Sequence, residues 1–247
     1  MPQCCETHWQ KCIRTLPPFK TIDYAWREEV EQQAFFECDV IEHIECKNLE
    51  IIGEDAFTCC KSLSSIDLPS AKIVKGAFTG CKVLTDVKFG KNLDNLGAGA
   101  FGNCTSLERI IIPLTIGLFG NDTVFAKCDN LKRVDLVEDV IIHKVVDALF
   151  MEEWRQDMRN EIGSINQILP NTPAGNFSIN CNVWRRTRAI REWIQRVLRK
   201  IHHYKAQHRS LLNEAATHFN SIFQAILFKI ACYLFLNCHH ICFLGKM

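Results

Sequence analysis

Phenylalanine recurs at a nearly constant interval through the first half of the chain, at Phe35, Phe57, Phe78, Phe101 and Phe125. The intervals are 22, 21, 23 and 24 residues, and each phenylalanine is followed by an apolar residue or a cysteine at offsets of three, six, nine and eleven. All 25 positions of these five columns are apolar or cysteine, although only 47% of the chain is hydrophobic. Such an interval is the sequence signature of a repeat protein.

The offsets within a unit predict its local structure. In the last three columns, as in Leu63-x-x-Ile66-x-Leu68, the final two apolar residues are separated by two positions, which indicates a short strand. The Ala-Phe-x-x-Cys portion has the spacing of a helix or a turn. One unit of about 22 residues buries too few side chains to offset the entropy of ordering it. The units are therefore expected to stack into a solenoid with a shared core.

Residues 52–69 read I-G-E-D-A-F-T-C-C-K-S-L-S-S-I-D-L-P and resemble the BspA-like class of leucine-rich repeat. The resemblance covers about residues 30–140, and the helical part that follows resembles that of algal proteins carrying such repeats. The repeat spacing and the helical periodicity downstream predict an α+β fold, a leucine-rich-repeat solenoid of about five units of 21–24 residues followed by a C-terminal helical hairpin. The resemblance implies adhesion or protein binding, without chemistry.

The chain divides into four predicted segments. Residues 1–29 form an N-terminal arm or cap, 30–145 the solenoid, 146–230 a helical hairpin and 231–247 a hydrophobic tail. The first helix of the hairpin is predicted from an apolar stripe at steps of three and four: Trp154, Met158, Ile162, Ile165 and Leu169.

A second helix is predicted from a heptad seam that runs from Ile190 to Phe219. One interpretation is that it pairs with the first helix and caps the solenoid. The other is that it self-associates as a coiled coil. Both remain open from the sequence.

Charge is distributed unevenly along the chain. Residues 1–182 hold 18 basic and 26 acidic residues, a net of −8, whereas 183–247 hold 11 and 2, a net of +9. The basic group is Arg185, Arg188, Arg191, Arg196, Arg199 and Lys200. It forms either a solvated face neutralised by the acidic segments or a basic amphipathic helix for an anionic membrane. Nucleic-acid binding is disfavoured because no groove-reading module or stacking platform is present.

The C-terminal stretch 222–245 is long and apolar enough to suggest a bilayer span, although Lys229 opposes insertion. The alternative function is therefore a peripheral or tail-anchored membrane protein targeted by the basic helix and this tail. The opening residues, M-P-Q-C-C-E-T-H-W-Q, do not resemble a secretory signal peptide. The expected location is intracellular, in the cytoplasm.

The sequence predicts no enzyme, cofactor or metal site. The repeat cysteines occur one per unit in a single column, whereas zinc needs four ligands converging on one point, so they are interpreted as small core residues. Clusters at Cys4, Cys5, His8 and Cys12 and at Cys238, His239, His240 and Cys242 are weaker zinc candidates. No Walker loop, nucleophile elbow or H-E-x-x-H motif occurs.

The candidate site is the outward strand face of the solenoid. Its predicted partner-binding residues are Asp67, Lys88, Arg109, Ile111, Arg133 and Asp135. The mixed charges suit a protein partner better than a polyanion, and Ile111 is the candidate apolar anchor. The sequence therefore predicts a non-catalytic protein-interaction scaffold whose partner it does not identify.

Overall fold

The computed structural model describes the backbone of residues 21–23, 28–137, 139–172 and 185–244. Side chains are described within residues 28–43, 46–137, 142–172 and 185–230.

Within the described residues, ten short strands form two parallel sheets in the first part of the chain. The larger sheet contains β1 (Thr21–Asp23), β3 (His43–Glu45), β5 (Ser65–Leu68), β7 (Asp86–Phe89), β9 (Arg109–Ile112) and β10 (Arg133–Leu136), in that order. The smaller sheet contains β2 (Glu29–Val30), β4 (Ile51–Ile52), β6 (Ile73–Val74) and β8 (Asn95–Leu96). Each strand pairs with the equivalent strand of the next repeat, so Ile66 lies beside Val87 and Leu68 beside Phe89. The predicted α+β solenoid is confirmed.

The phenylalanine column forms a continuous stack inside the solenoid. Ring centroids of neighbouring repeats lie 5.0, 5.2, 5.4 and 5.8 Å apart from Phe35 to Phe125, and the rings are nearly parallel. These separations approach the spacing of about 4.8 Å between paired strands, because each ring repeats with the strands. All five rings are buried. The equivalent side chains therefore align in rows, as the sequence predicts.

The cysteine column packs beside this stack and makes a repeated hydrogen bond. The thiols of Cys60, Cys81, Cys104 and Cys128 donate to the carbonyl of the phenylalanine one repeat earlier, at 3.2, 3.0, 3.0 and 2.9 Å. All four are unpaired thiols in the core, as interpreted from the sequence. A small side chain with a weak donor suits this position, because it fits beside the ring and satisfies a buried carbonyl.

The Ala-Phe-x-x-Cys portion is a tight turn rather than a helix. The backbone is left-handed two residues after each phenylalanine, at Glu37, Cys59, Gly80, Asn103 and Lys127. It is also left-handed two residues before the first four, at Gln33, Asp55, Gly76 and Gly99. Only glycine and, less readily, asparagine or aspartate adopt this conformation at low cost. Stacking therefore imposes a strained turn on several repeats whose residues do not favour it.

Regular structure begins earlier and extends further than the sequence indicated. β1 lies within the segment interpreted as an N-terminal arm, and the smaller sheet was not predicted. An additional helix, α1 (Asp139–Asp147), precedes α2 (Glu152–Ile168), which leads into a 3-10 turn at Leu169–Asn171. α3 (Arg185–Leu244) is one helix of 60 residues, so the predicted tail continues the second helix of the hairpin.

Candidate binding surfaces

The outer face of the larger sheet carries the predicted partner-binding residues. In β5, β7, β9 and β10, alternate side chains are buried, and the others point outward. Asp67, Lys88, Arg109, Ile111, Arg133 and Asp135 all occupy outward positions. The strand registers place Asp67, Lys88, Ile111 and Asp135 in one row across the sheet.

The charges on this face pair with one another. Lys88 lies 3.2 Å from Asp67, and Asp135 lies 2.6 Å from Arg109 and 2.9 Å from Arg133. Arg109 also lies 3.8 Å from Asp86. Exposed pairs of this kind contribute little stability. Their effect is on the electrostatic potential of the face, which alternates between positive and negative instead of having one dominant sign.

Ile111 lies in the row between Lys88 on β7 and Asp135 on β10. It is half-buried, whereas Ile110 and Ile112 point into the core. Toward the N-terminal side, the same face holds a shallow groove lined by His43, Ser65, Ile66, Asp67, Asp86 and Lys88. The face therefore combines a half-buried isoleucine with a polar depression that begins on the adjacent strand.

Most of the predicted basic residues neutralise acidic neighbours. Arg188 and Arg191 both pair with Asp122 of the last repeat. Arg196 and Lys200 pair with carboxylates of α2. Arg196 lies 2.9 Å from Glu161, and Lys200 lies 2.9 Å from Asp157 and 3.1 Å from Glu161. Arg185 is exposed, and Arg199 donates to the carbonyl of Gln195. The interpretation as a face neutralised by acidic segments accounts for four of the six residues.

These pairs shift the titration of the α2 carboxylates. Hydrogen bonds from Lys200 and Tyr204 hold the pKa of Asp157 below its ordinary value. Burial raises the pKa of Glu161, but hydrogen bonds from Arg196 and Lys200 outweigh it, so this pKa also lies below its ordinary value. Both carboxylates therefore remain charged while they hold α3 against α2.

Three side chains of the helical segment cover the C-terminal end of the solenoid. The sequence did not predict this role for any of them. Arg186, although charged, is buried and donates to the carbonyls of Cys128, Leu131 and Thr172 at 2.8, 2.5 and 2.6 Å. The hydroxyl of Thr187 accepts from the backbone N–H of Phe125 at 3.2 Å. The side-chain oxygen of Asn166 accepts from the N–H of Val134 on β10 at 2.8 Å.

These side chains replace partners that a further repeat would supply. The N–H groups of Phe35, Phe57, Phe78 and Phe101 each donate to a backbone carbonyl of the following repeat, but Phe125 has no following repeat. An unpaired donor buried there would be costly. No motif marks these residues, because an arginine, a threonine and an asparagine become caps only through their position at the end of the stack.

The α3 seam packs against α2 within the same chain over its first part. Ile190, Trp193, Ile194 and Val197 are buried, and the indole N–H of Trp193 donates to the carbonyl of Glu161 at 2.9 Å. The Tyr204 ring stacks on Trp154 of α2 at 5.3 Å. This part of the predicted 190–219 seam serves the intramolecular hairpin. Its use as a coiled coil between chains stays a prediction.

Within the described part of the chain, no group of three or more His, Cys, Asp or Glu side chains could hold a metal ion. The two predicted terminal clusters, at Cys4–Cys12 and Cys238–Cys242, lie outside the side chains that are described. Across the described residues, no helix has the length and apolar character needed to cross a bilayer. Most of the predicted 222–245 span lies beyond the last described side chain, Ile230.

The family profile of the BspA type leucine rich repeat region matches six copies, over residues 25–132 and 63–151. Together these matches extend over about half of the chain. The chain belongs to the BspA-type leucine-rich repeat family. This confirms the family that residues 52–69 indicated. No curated protein matches the chain, so the resemblance of its helical part to algal proteins stays a prediction.

Three solved structures of leucine-rich repeat proteins are similar to this BspA-type chain. A leucine rich cell surface protein from Faecalibacterium prausnitzii A2-165 is 22% identical, with a TM-score of 0.45 over 48% of this chain and 32% of its own. A leucine-rich repeat protein from Bacteroides ovatus ATCC 8483 is 32% identical, with a TM-score of 0.37 over 38% and 25%. The T. pallidum leucine rich repeat protein is 22% identical, with a TM-score of 0.35 over 49% and 71%.

The chain spans about a third of the length of the first of these proteins and a quarter of the second. The first is described as a cell surface protein. The intracellular location expected for the BspA-type chain stays a prediction.

Proposed function

We propose that this BspA-type repeat protein is a non-catalytic scaffold that binds a protein partner on the outer face of its larger sheet. The observation that carries the proposal is the row formed by Asp67, Lys88, Ile111 and Asp135, in which an isoleucine lies between paired charges. A partly exposed apolar side chain surrounded by polar groups is the arrangement expected at the centre of a protein interface.

The charge pattern supports a protein rather than a polyanion as the partner. Lys88 and Arg109 are each engaged by an aspartate of the same face, so the described side chains of this face form no continuous cationic track for phosphates. Alternating signs favour a partner with the complementary alternation and exclude partners that present like charges. Specificity would then come from the ordered row, and affinity from burial of Ile111.

The experiment compares proximity labelling by the full-length chain, Ile111→Asp and Ile73→Asp in the cell that produces the protein. Ile73 is a matched control, because it is also a half-buried strand isoleucine but belongs to β6 of the smaller sheet. Partner proteins that are labelled by the original chain and by Ile73→Asp should no longer be labelled by Ile111→Asp. Thermal unfolding of each variant establishes that it is folded. An unchanged set of labelled proteins for a folded Ile111→Asp chain would refute the proposal.

A further inference from the structure

The second half of α3 extends away from the rest of the molecule. The last side-chain contacts with the hairpin are those of Tyr204 with Asp157 and of His208 with Phe150, whose rings lie 6.3 Å apart. From Arg209 to Ile230 every residue is exposed, over a helical length of about 33 Å. Helices in water obtain most of their stability from packing an apolar face. This segment has such a face, and no described part of the chain packs against it.

The exposed apolar residues follow a regular seam. Steps of four, three, four, three and four residues connect Leu212, Ala216, Phe219, Phe223, Ile226 and Ile230, the spacing of the core positions of a coiled coil. Phe219 is 71% exposed, and Phe223, Ile226 and Ile230 are each 50% exposed. The seam is shifted by one residue from the heptad seam that packs on α2. It therefore faces a different direction from the intramolecular contact.

The seam is complementary to itself when two copies run antiparallel. Aligning Phe219 with Phe223 of a second copy also pairs Leu212 with Ile230 and Ala216 with Ile226. Leu212, Phe219 and Ile226 occupy position d of the heptad, and Ala216, Phe223 and Ile230 occupy position a. Every layer then pairs an a position with a d position, as antiparallel coiled coils require. The small Ala216 faces the larger Ile226. Among the positions that flank these layers, Asn213, Ala215, Asn220, Ile222, Leu227 and Lys229, only Lys229 is charged, and it lies near Asn213 and Ala215 of the second copy.

The available area is sufficient for a stable pair. Seven large side chains lie on or beside the seam: Leu212, Phe219, Ile222, Phe223, Ile226, Leu227 and Ile230. With roughly 80–100 Å² exposed on each, they offer about 600 Å² per copy, or about 1,200 Å² in a symmetric dimer. That value is at the lower end of the range for specific interfaces.

The charge distribution selects the antiparallel orientation. Arg199, Lys205 and Arg209 lie near the point where α3 leaves the hairpin and are exposed. Two parallel helices would bring these cations, and the two solenoids, next to each other. Two antiparallel helices in this register place them at opposite ends, about 36 Å or more apart. Repulsion is then weak, because this distance exceeds the screening length in physiological salt.

We propose that two copies of this chain associate through residues 212–230 of α3 as an antiparallel two-helix coiled coil, with Phe219 and Phe223 at its centre. This surface is separate from the strand face, so the dimer would present two strand faces at opposite ends. The proposal does not depend on the proposed function.

The first test is the mass of the full-length chain by light scattering coupled to size exclusion at micromolar concentration. The expected mass is twice that of the 28.4 kDa chain. The double variant Phe219→Glu/Phe223→Glu should elute as a monomer, because two carboxylates would be buried in each central layer. Ser221→Glu is the matched control, since it adds charge on the opposite face of the same turn, and it should remain a dimer. A monomeric original chain, or a dimeric double variant, would overturn the proposal.

The second test determines the orientation of the helices. The photoreactive amino acid p-benzoylphenylalanine in place of Leu212 should cross-link to the segment around Ile230 of the other copy, as mapped by mass spectrometry. Cross-links between the two 212 positions would indicate parallel helices and contradict the antiparallel register. A chain that is monomeric in buffer and binds phosphatidylserine vesicles through Phe219 and Phe223 would instead assign this seam to a membrane surface.

Discussion

Replacing Thr187 with valine removes one hydrogen bond at the end of the solenoid and little else. The Thr187 side chain is 1% exposed, and its hydroxyl is the acceptor for the N–H of Phe125. Valine has nearly the same shape but no acceptor. The N–H of Phe125 would then be buried without a partner, whereas the equivalent N–H of Phe101 donates to a backbone carbonyl at 2.9 Å.

The expected loss of stability is about 1–3 kcal/mol, the cost of leaving a buried donor unsatisfied. For a chain of this size, each kcal/mol lowers Tm by about 2–4 °C. The effect should be concentrated at the C-terminal repeat, because each repeat contacts only its neighbours.

Denaturant unfolding gives the global change, and amide hydrogen exchange gives its location. The Phe125 amide should lose protection in Thr187→Val, whereas the Phe78 amide in the middle of the stack should keep more of its protection. Thr187→Ser keeps the hydroxyl and should retain the protection of Phe125. The cap interpretation is wrong if Thr187→Val unfolds like the original chain with slow exchange at Phe125. It is also wrong if Thr187→Ser exposes the Phe125 amide to exchange as much as Thr187→Val does, since serine keeps the acceptor.

Three further outcomes follow from the same structure. Gly90→Ala places a Cβ 1.7 Å from the carbonyl oxygen of Pro69 in the adjacent turn, so it should lower the free energy of unfolding by more than about 2 kcal/mol. The added Cβ of Gly163→Ala in α2 meets nothing within 4 Å, so this variant should raise the free energy of unfolding by up to about 1 kcal/mol. Denaturant unfolding measures both changes. Because the pKa of Asp157 is lowered, its contribution is present above about pH 4 and is lost as the pH falls through its folded pKa, so the stability difference from Asp157→Asn should shrink on acidification. Burial raises the pKa of the Cys128 thiol to about 12, so alkylation of this thiol in the folded chain should be far slower than in the unfolded chain, as measured by peptide mass spectrometry.

The rows of the core could be predicted from the sequence, because stacking converts a repeat along the chain into a repeat in space. Phe57 and Phe78 are separated by one unit in the sequence and by 5.2 Å between ring centroids in the structure. The outward positions of Asp67 and Lys88 follow from the same register, because side chains alternate across a strand.

The smaller sheet could not be predicted in this way. Its strands contain two residues each, such as Ile51–Ile52 and Ile73–Val74, which is too short to show a period of two. The interval from this strand to the following phenylalanine is five residues after Val30, Ile52 and Leu96 but four after Val74, so the column is interrupted in the third repeat.

The repeat, the buried columns and the outward strand face follow from the amino-acid sequence, because they depend on spacing along the chain and are the same in every unit. The side chains that close the stack, and the part of α3 that extends beyond it, depend on how the folded elements meet. Arg186, Thr187 and Asn166 have roles because the last repeat presents donors and acceptors that no following repeat satisfies. Leu212 to Ile230 remain exposed because α2 is too short to cover a helix of 60 residues.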